Sequence, residues 1–184
     1  MKQLDDNIGE VFKKLEAMAP LVDAIVVADY GKGFVNQALA DAISTAARAH
    51  RKVLAVDPHP YTSLAWHDAT LIKPNRAEAF LAAGLPPSDP VSPVLEDRAL
   101  LAAAQRLAEI WNAGSLLLTL GEQGMLLIEK GAAPYVIPAR AKDVFDVSGA
   151  GDTAIAVLSL ALAAGASAAE AFPHVLKFDS RAHR

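Results

Sequence analysis

The residues of this sequence best suited to chemistry run from Asp146 to Thr153, in the order Asp-Val-Ser-Gly-Ala-Gly-Asp-Thr, and open an apolar, helix-forming stretch. Three small residues, Gly149, Ala150 and Gly151, standing just before a helix leave its first backbone N–H groups uncovered. They let a phosphate come close, and the helix dipole favours negative charge at that end. Asp152 follows at once, so its carboxylate would lie beside a phosphoryl group, where it can take the proton of an attacking hydroxyl. The same residues also read as a tight turn followed by an acidic side chain in a first helical turn, which suits any protein. Spacing alone leaves both readings open.

The elements that must position this loop follow from periodicity. From Asp23 onward, short β-branched runs alternate with longer helical patterns: a strand at Ala24 to Ala28, a helix at Asn36 to His50, a strand at Val53 to Val56. A strand at Thr70 to Lys73 then runs into Pro74-Asn75 and a helix from about Arg76 to Ala83. The segment Leu85 to Pro93 holds four prolines and reads as a surface loop before a long amphipathic helix, Leu95 to Ala113. Ser115 to Thr119 reads as a buried strand, Gly121 to Gly124 as a tight turn, and Met125 to Glu129 and Ala133 to Pro138 as two further strands. The pattern predicts one three-layer α/β/α domain with a mostly parallel sheet. Trp66, Trp111 and Tyr135 read as packing residues.

The motif DVSGAGD resembles the C-terminal signature of the ribokinase-like (PfkB) carbohydrate kinases. That resemblance implies a ribokinase-like fold, Asp152 as catalytic base, and Gly149, Ala150 and Gly151 as the anion hole. Asn75-Arg76-Ala77-Glu78 is similar to the family's N-x-x-E motif, which implies that Asn75 and Glu78 help to place magnesium and phosphate. The same residues form a capping box in many proteins without ligands. Thr119-Leu120-Gly121-Glu122-Gln123-Gly124 resembles the family's T-x-G-x-x-G turn and implies nucleotide contacts from Thr119, Gly121 and Gly124, although a plain hairpin also needs such glycines. The segment Asp29-Tyr30-Gly31-Lys32-Gly33 lacks the spacing of a Walker A loop. Together with Val56-Asp57-Pro58, LIKPNRAE and TLGEQGM, it resembles the members acting on heptose 7-phosphate, which supply ADP-heptose synthesis. Asp29, Lys32 and Asp57 are then candidates for the substrate side. Where those kinases carry a lysine soon after the Asp-Pro pair, this chain has His59-Pro60, with His59 read as a solvated loop residue.

Composition narrows the alternatives. The net charge of −4 comes with scattered Lys and Arg and no basic stripe, against a nucleic-acid partner, and the absence of cysteine rules out disulfides and thiolate metal sites. The uncharged run from Ala154 to Ala169 falls short of the roughly 20 residues a bilayer needs, and Gly165 and Ser167 read as a helix stop and a new N-cap. A cytoplasmic enzyme with ATP, Mg2+ and a sugar phosphate as ligands is the expectation, with a homodimer compatible. The resemblance spans about residues 7 to 172, the middle and later part of a family member, with the lid part and the C-terminal end missing. Residues 1–172 are expected to form the partial kinase domain, and residues 173–184 an atypical tail that breaks the helical pattern at Pro173. An inactive nucleotide-binding fragment is the alternative, and a Rossmann-type oxidoreductase ranks last because no glycine fingerprint follows the first strand.

Overall fold

The computed structural model describes residues 2–59, 61, 64–139 and 150–179. Six strands form one sheet in chain order: β1 (Ala24–Ala28), β2 (Val53–Asp57), β3 (Leu71–Ile72), β4 (Ser115–Thr119), β5 (Met125–Glu129) and β6 (Tyr135–Ile137). Strands β1 to β4 are parallel, and β4, β5 and β6 close the sheet as an antiparallel meander. The helices are α1 (Lys2–Met18), α2 (Gln37–Ala49), α3 (Arg76–Ala82), α4 (Arg98–Trp111), α5 (Ala150–Ala163) and α6 (Ala168–Asp179).

Alternation along the strands divides the core in two. Leu54, Val56, Ile72, Leu116, Leu118 and Leu126 point to one face, where α1 to α4 pack around Trp66, Phe80 and Leu107. Ala55, Leu71, Leu117, Met125 and Leu127 point to the other, against Ala154, Ile155 and Leu158 of α5 and Ala171 and Phe172 of α6. Because both faces are covered, the interiors of the central strands β2 to β4 are continuously apolar, as parallel sheets require, with polar residues only at strand ends. The expected three layers are therefore present. Trp66 and Trp111 are core residues as read, whereas Tyr135 is half exposed and meets Phe172 edge-on.

Three boundaries differ from the periodicity. Regular β3 is only two residues long, yet its hydrogen bonding continues through Thr70 N–H to Leu54 O and Lys73 N–H to Val56 O before Pro74, which has no N–H, ends it. The long helix expected from Leu95 is interrupted: Val94–Glu96 forms a 3-10 turn, and α4 starts only after Asp97, whose carboxylate accepts the Leu100 amide as an N-cap. Asn112 in the left-handed region ends that helix. The helical pattern is not broken at Pro173: α6 runs through it to Asp179, even though an interior proline removes a backbone hydrogen bond and crowds the carbonyl four residues earlier. Gly165, at φ 89°, and the Ser167–Glu170 capping pair stand between α5 and α6 as expected.

Arg76 ties the proline loop to this frame. Its guanidinium lies 2.8 Å from Asp97, donates to the carbonyls of Ser88 and Asp89, and stacks over the Phe80 ring. Asp97 is almost fully buried. Burial pushes its carboxyl up, but the Leu100 and Val91 amides and Arg76 outweigh that and hold it below the usual range. A depressed carboxylate contributes stability above its unfolded pKa and loses it as pH falls through the folded value. Replacing Arg76 by Ala leaves Asp97 buried without its cation and is expected to destabilise the fold by about 3 kcal/mol in urea titrations. In Asp97→Asn the acid limb of the stability–pH curve should flatten relative to wild type, and an unchanged limb would show that this pair carries no acid sensitivity.

Candidate active site

The four parallel strands end at one edge of the sheet, where four of the residues singled out from the sequence stand: Asp29, Asp57, Asn75 and Thr119. Asp29 follows β1, Asp57 ends β2, Lys73 follows β3, and Thr119 ends β4, where it forms a parallel bridge with Asn75. In open α/β sheets this carboxyl edge is where ligands bind. The buried Asp29 accepts the Gly31 amide at 2.9 Å, and its own N–H donates to the Asp57 carbonyl, which fixes the end of β1 against β2. Lys32 is exposed on the Gly31–Gly33 loop.

His59 is half-buried rather than solvated. A Cβ on Gly31, which sits at φ 66°, would fall 2.5 Å from the imidazole, so the loop after β2 packs directly on the loop after β1. The Tyr61 ring lies 5.6 Å from that of His59.

The first turn of α5 closes the site from the second face. Gly151 and Asp152 occupy that turn, with Asp152 exposed, while Gly149 and the rest of the glycine-rich loop lie outside the described residues. A residue not singled out from the sequence joins them: the Lys73 ammonium forms a 3.0 Å ion pair with Asp57, and its side chain is 7 % exposed. A Cβ on Gly151 would stand 3.0 Å from the Lys73 nitrogen. A lysine between an apolar strand and Pro74 was the available signal, since a charge there must end in a cleft or a pair. Burial pushes the Asp57 carboxyl up, Lys73 opposes this, and Asp152 adds to it.

Asn75 and Glu78 form the capping box in full: the Glu78 amide donates to Asn75 at 2.9 Å and the Asn75 amide donates to the Glu78 carboxylate at 2.7 Å. Burial raises the Glu78 carboxyl, with Asp57 adding to the effect. A carboxylate that caps with one oxygen still has acceptor capacity on the other. Among the described residues no group of three or more His, Asp or Glu side chains is arranged to hold a metal. Asn75 and Glu78 suit a magnesium ion that keeps most of its waters.

The turn after β4 separates its two glycines. The Gly124 amide donates to the Gly121 carbonyl, and a Cβ on Gly124 would collide with the Ile137 carbonyl. At Gly121, φ 58°, the same atom would meet open space. A cavity of about 330 Å³ opens beside this edge between Trp66, Trp111 and Pro74, and its walls include Glu78 and His59 but none of Asp57, Lys73 or Asp152.

A buried lysine paired with Asp57 thus lies beside the first turn of α5 at the carboxyl edge of the parallel strands. The model of the pfkB family carbohydrate kinases matches residues 6–174, and the chain belongs to that family. Among curated relatives, the bifunctional protein HldE of Desulfatibacillum aliphaticivorans is 38% identical over 163 residues, covering 89% of this chain and 32% of the relative. That of a Caulobacter species is 44% identical over 150 residues, covering 82% and 30%. The chain thus spans about a third of the length of the relatives it matches. Among solved structures, a phosphofructokinase-2 mutant from Escherichia coli superposes with TM-score 0.73 at 21% identity, over 93% of this chain and 55% of that one. An Arabidopsis thaliana ribokinase complexed with ribose and ATP gives 0.65 at 18%, over 89% and 50%. The fold is ribokinase-like. No helix among the described residues is long and apolar enough to cross a membrane.

The two glycines of the turn give a direct check on backbone geometry. Gly124→Ala should lower stability by about 2 kcal/mol or more and Gly121→Ala by about 1 kcal/mol, measured by thermal unfolding. Equal losses would contradict the close approach of the Ile137 carbonyl.

Proposed function

We propose that this chain carries the phosphoryl-transfer half of an ATP-dependent sugar kinase, with heptose 7-phosphate, phosphorylated at its anomeric hydroxyl, as the acceptor. The observation that carries the reading is the convergence of Asp152 and Gly151, in the first turn of α5, with Asp57 and Lys73 at the ends of β2 and β3. Asp152 takes the proton of the acceptor hydroxyl, whose oxygen forms a bond to the γ-phosphorus as the bond to the β-phosphate oxygen breaks and ADP leaves. Gly149, Ala150 and Gly151 present backbone N–H groups to the charge that builds on the transferring oxygens. Thr119, Gly121 and Gly124 lie on the nucleotide side, with the Gly124 N–H also donating to the Gly121 carbonyl within the turn. Asp29, Lys32 and Asp57 lie on the acceptor side. Glu78, held by Asn75, would help to place a magnesium ion, which would supply neutralisation of the phosphate charge. The names of the HldE relatives and the loops after β1 and β2 support the choice of acceptor. A cytoplasmic enzyme fits these ligands.

The alternative reading is a nucleotide-binding unit without turnover. The test is ADP release from MgATP with a panel of sugars and sugar phosphates, comparing wild type with Asp152→Asn. Acceptor-dependent release, reduced about 100-fold or more in the variant, is the expected result. Nucleotide binding without acceptor-dependent release in wild type would overturn the kinase reading in favour of the alternative.

A further inference from the structure

The turn after β4 is anchored at both ends and much less at its crest. Thr119, where it begins, is fixed by the bridge to Asn75 and by its N–H, which donates to the Pro74 carbonyl. Gly124, where it ends, lies against the Ile137 carbonyl. Between them the 3-10 turn Gly121–Gln123 closes its backbone hydrogen bonds on itself: the Gln123 N–H donates to the Leu120 carbonyl, the Gly124 N–H to that of Gly121, and the Leu120 N–H to that of Gly124. One side chain reaches outside. The Gln123 side-chain amide donates to the Val91 carbonyl at 2.8 Å, across 32 positions of sequence.

The acceptor of that bond is itself held. The Val91 N–H donates to the Asp97 carboxylate, and the same carboxylate oxygen lies 2.8 Å from the Arg76 guanidinium, which also donates to the carbonyls of Ser88 and Asp89. Arg76 follows Asn75 in the chain, and Asn75 bridges to Thr119. The contacts thus form a closed circuit through Thr119, Asn75, Arg76, Asp97, Val91 and Gln123. Its weakest link is the single neutral bond from Gln123, since Arg76 and Asp97 are bound by charge and by several hydrogen bonds each.

We propose that Gln123 is a positioning residue, which uses the proline loop as a brace to hold the crest of this turn ready for nucleotide phosphates. This rests on the kinase reading above, in which Thr119 and Gly121 face the nucleotide, and adds to it what keeps them in place. A crest released from Val91 must be ordered again each time a nucleotide binds, and that ordering opposes affinity. Once the nucleotide is bound the crest is in the same place with or without the brace. The loss therefore falls on nucleotide binding and spares the chemical step.

The experiment measures MgATP and MgADP binding by calorimetry, and kcat and KM, for wild type, Gln123→Met, Arg76→Lys and the double variant. Methionine keeps the length of the side chain and has no hydrogen to donate. Gln123→Met should weaken ATP and ADP alike by about fivefold and raise KM for MgATP to match, as expected for one neutral hydrogen bond, with kcat within about threefold. Arg76→Lys, which lacks the planar fork that grips the loop, should weaken both nucleotides as well. In the double variant Gln123→Met should then add less than about twofold, because the brace is already loose. Should Gln123→Met fail to fold, Gln123→Glu, whose carboxylate cannot donate to Val91, must show the same loss for both nucleotides. Unchanged nucleotide affinity in a folded variant, a loss confined to kcat, or additive losses in the double variant would each overturn the role of Gln123 and leave the kinase reading standing. Wild type that binds neither nucleotide overturns the kinase reading, and this role with it.

Discussion

A lysine ammonium almost wholly removed from water must be held by an anion, and in this fold that requirement binds three separate elements. Desolvating the charge costs several kcal/mol unless a partner restores it. The partner is Asp57, so the end of β2 is fixed to the end of β3, and the ammonium of the pair in turn borders the first turn of α5. A Cβ at 151 would press on that ammonium, so glycine there leaves room for the pair.

The two-sided core explains why these elements can be so exact at one edge and so open at it. Strands β2 to β4 are buried on both faces, and side chains of alternating direction lock to α1–α4 on one face and to α5 and α6 on the other. The rigid part ends where the strands end. Beyond it stand short loops that hold one another: Asp29 through Gly31, His59 on Gly31, Asn75 against Thr119. A site made of loop residues on a rigid sheet is the common arrangement in α/β enzymes.

Much of this was legible in the sequence because it rests on period and punctuation. The apolar runs at Ala24, Val53 and Ser115, the glycine at 165 and the cap at Ser167 each say locally what they do. What was not legible depended on contacts between distant segments. Asp97 looked like one polar position in a long helix, and only its bond from the Leu100 amide, with Arg76 and the Val91 amide on its other oxygen, reveals the cap that splits the pattern. His59 looked solvated until the loop after β1 came to lie beneath it. Lys73 was visible as a charge at the end of a strand, but its neighbours at 57 and 151 are separated from it by 16 and 78 positions, and no local rule brings them together.

The capping box at the start of α3 shows why a structural role and a chemical one need not compete. Asn75 and Glu78 bond to each other's backbone, and that alone accounts for both residue types. In the exposed Ser167–Glu170 box the capping hydrogen bonds hold the carboxylate below its ordinary range. In the α3 box burial, reinforced by Asp57, lifts it. The elevation is a cost borne by a group at the mouth of a charged site, and it is removed when a cation or its waters lie against the carboxylate. The box therefore fixes the orientation of Glu78, and the site around it determines what that orientation is for.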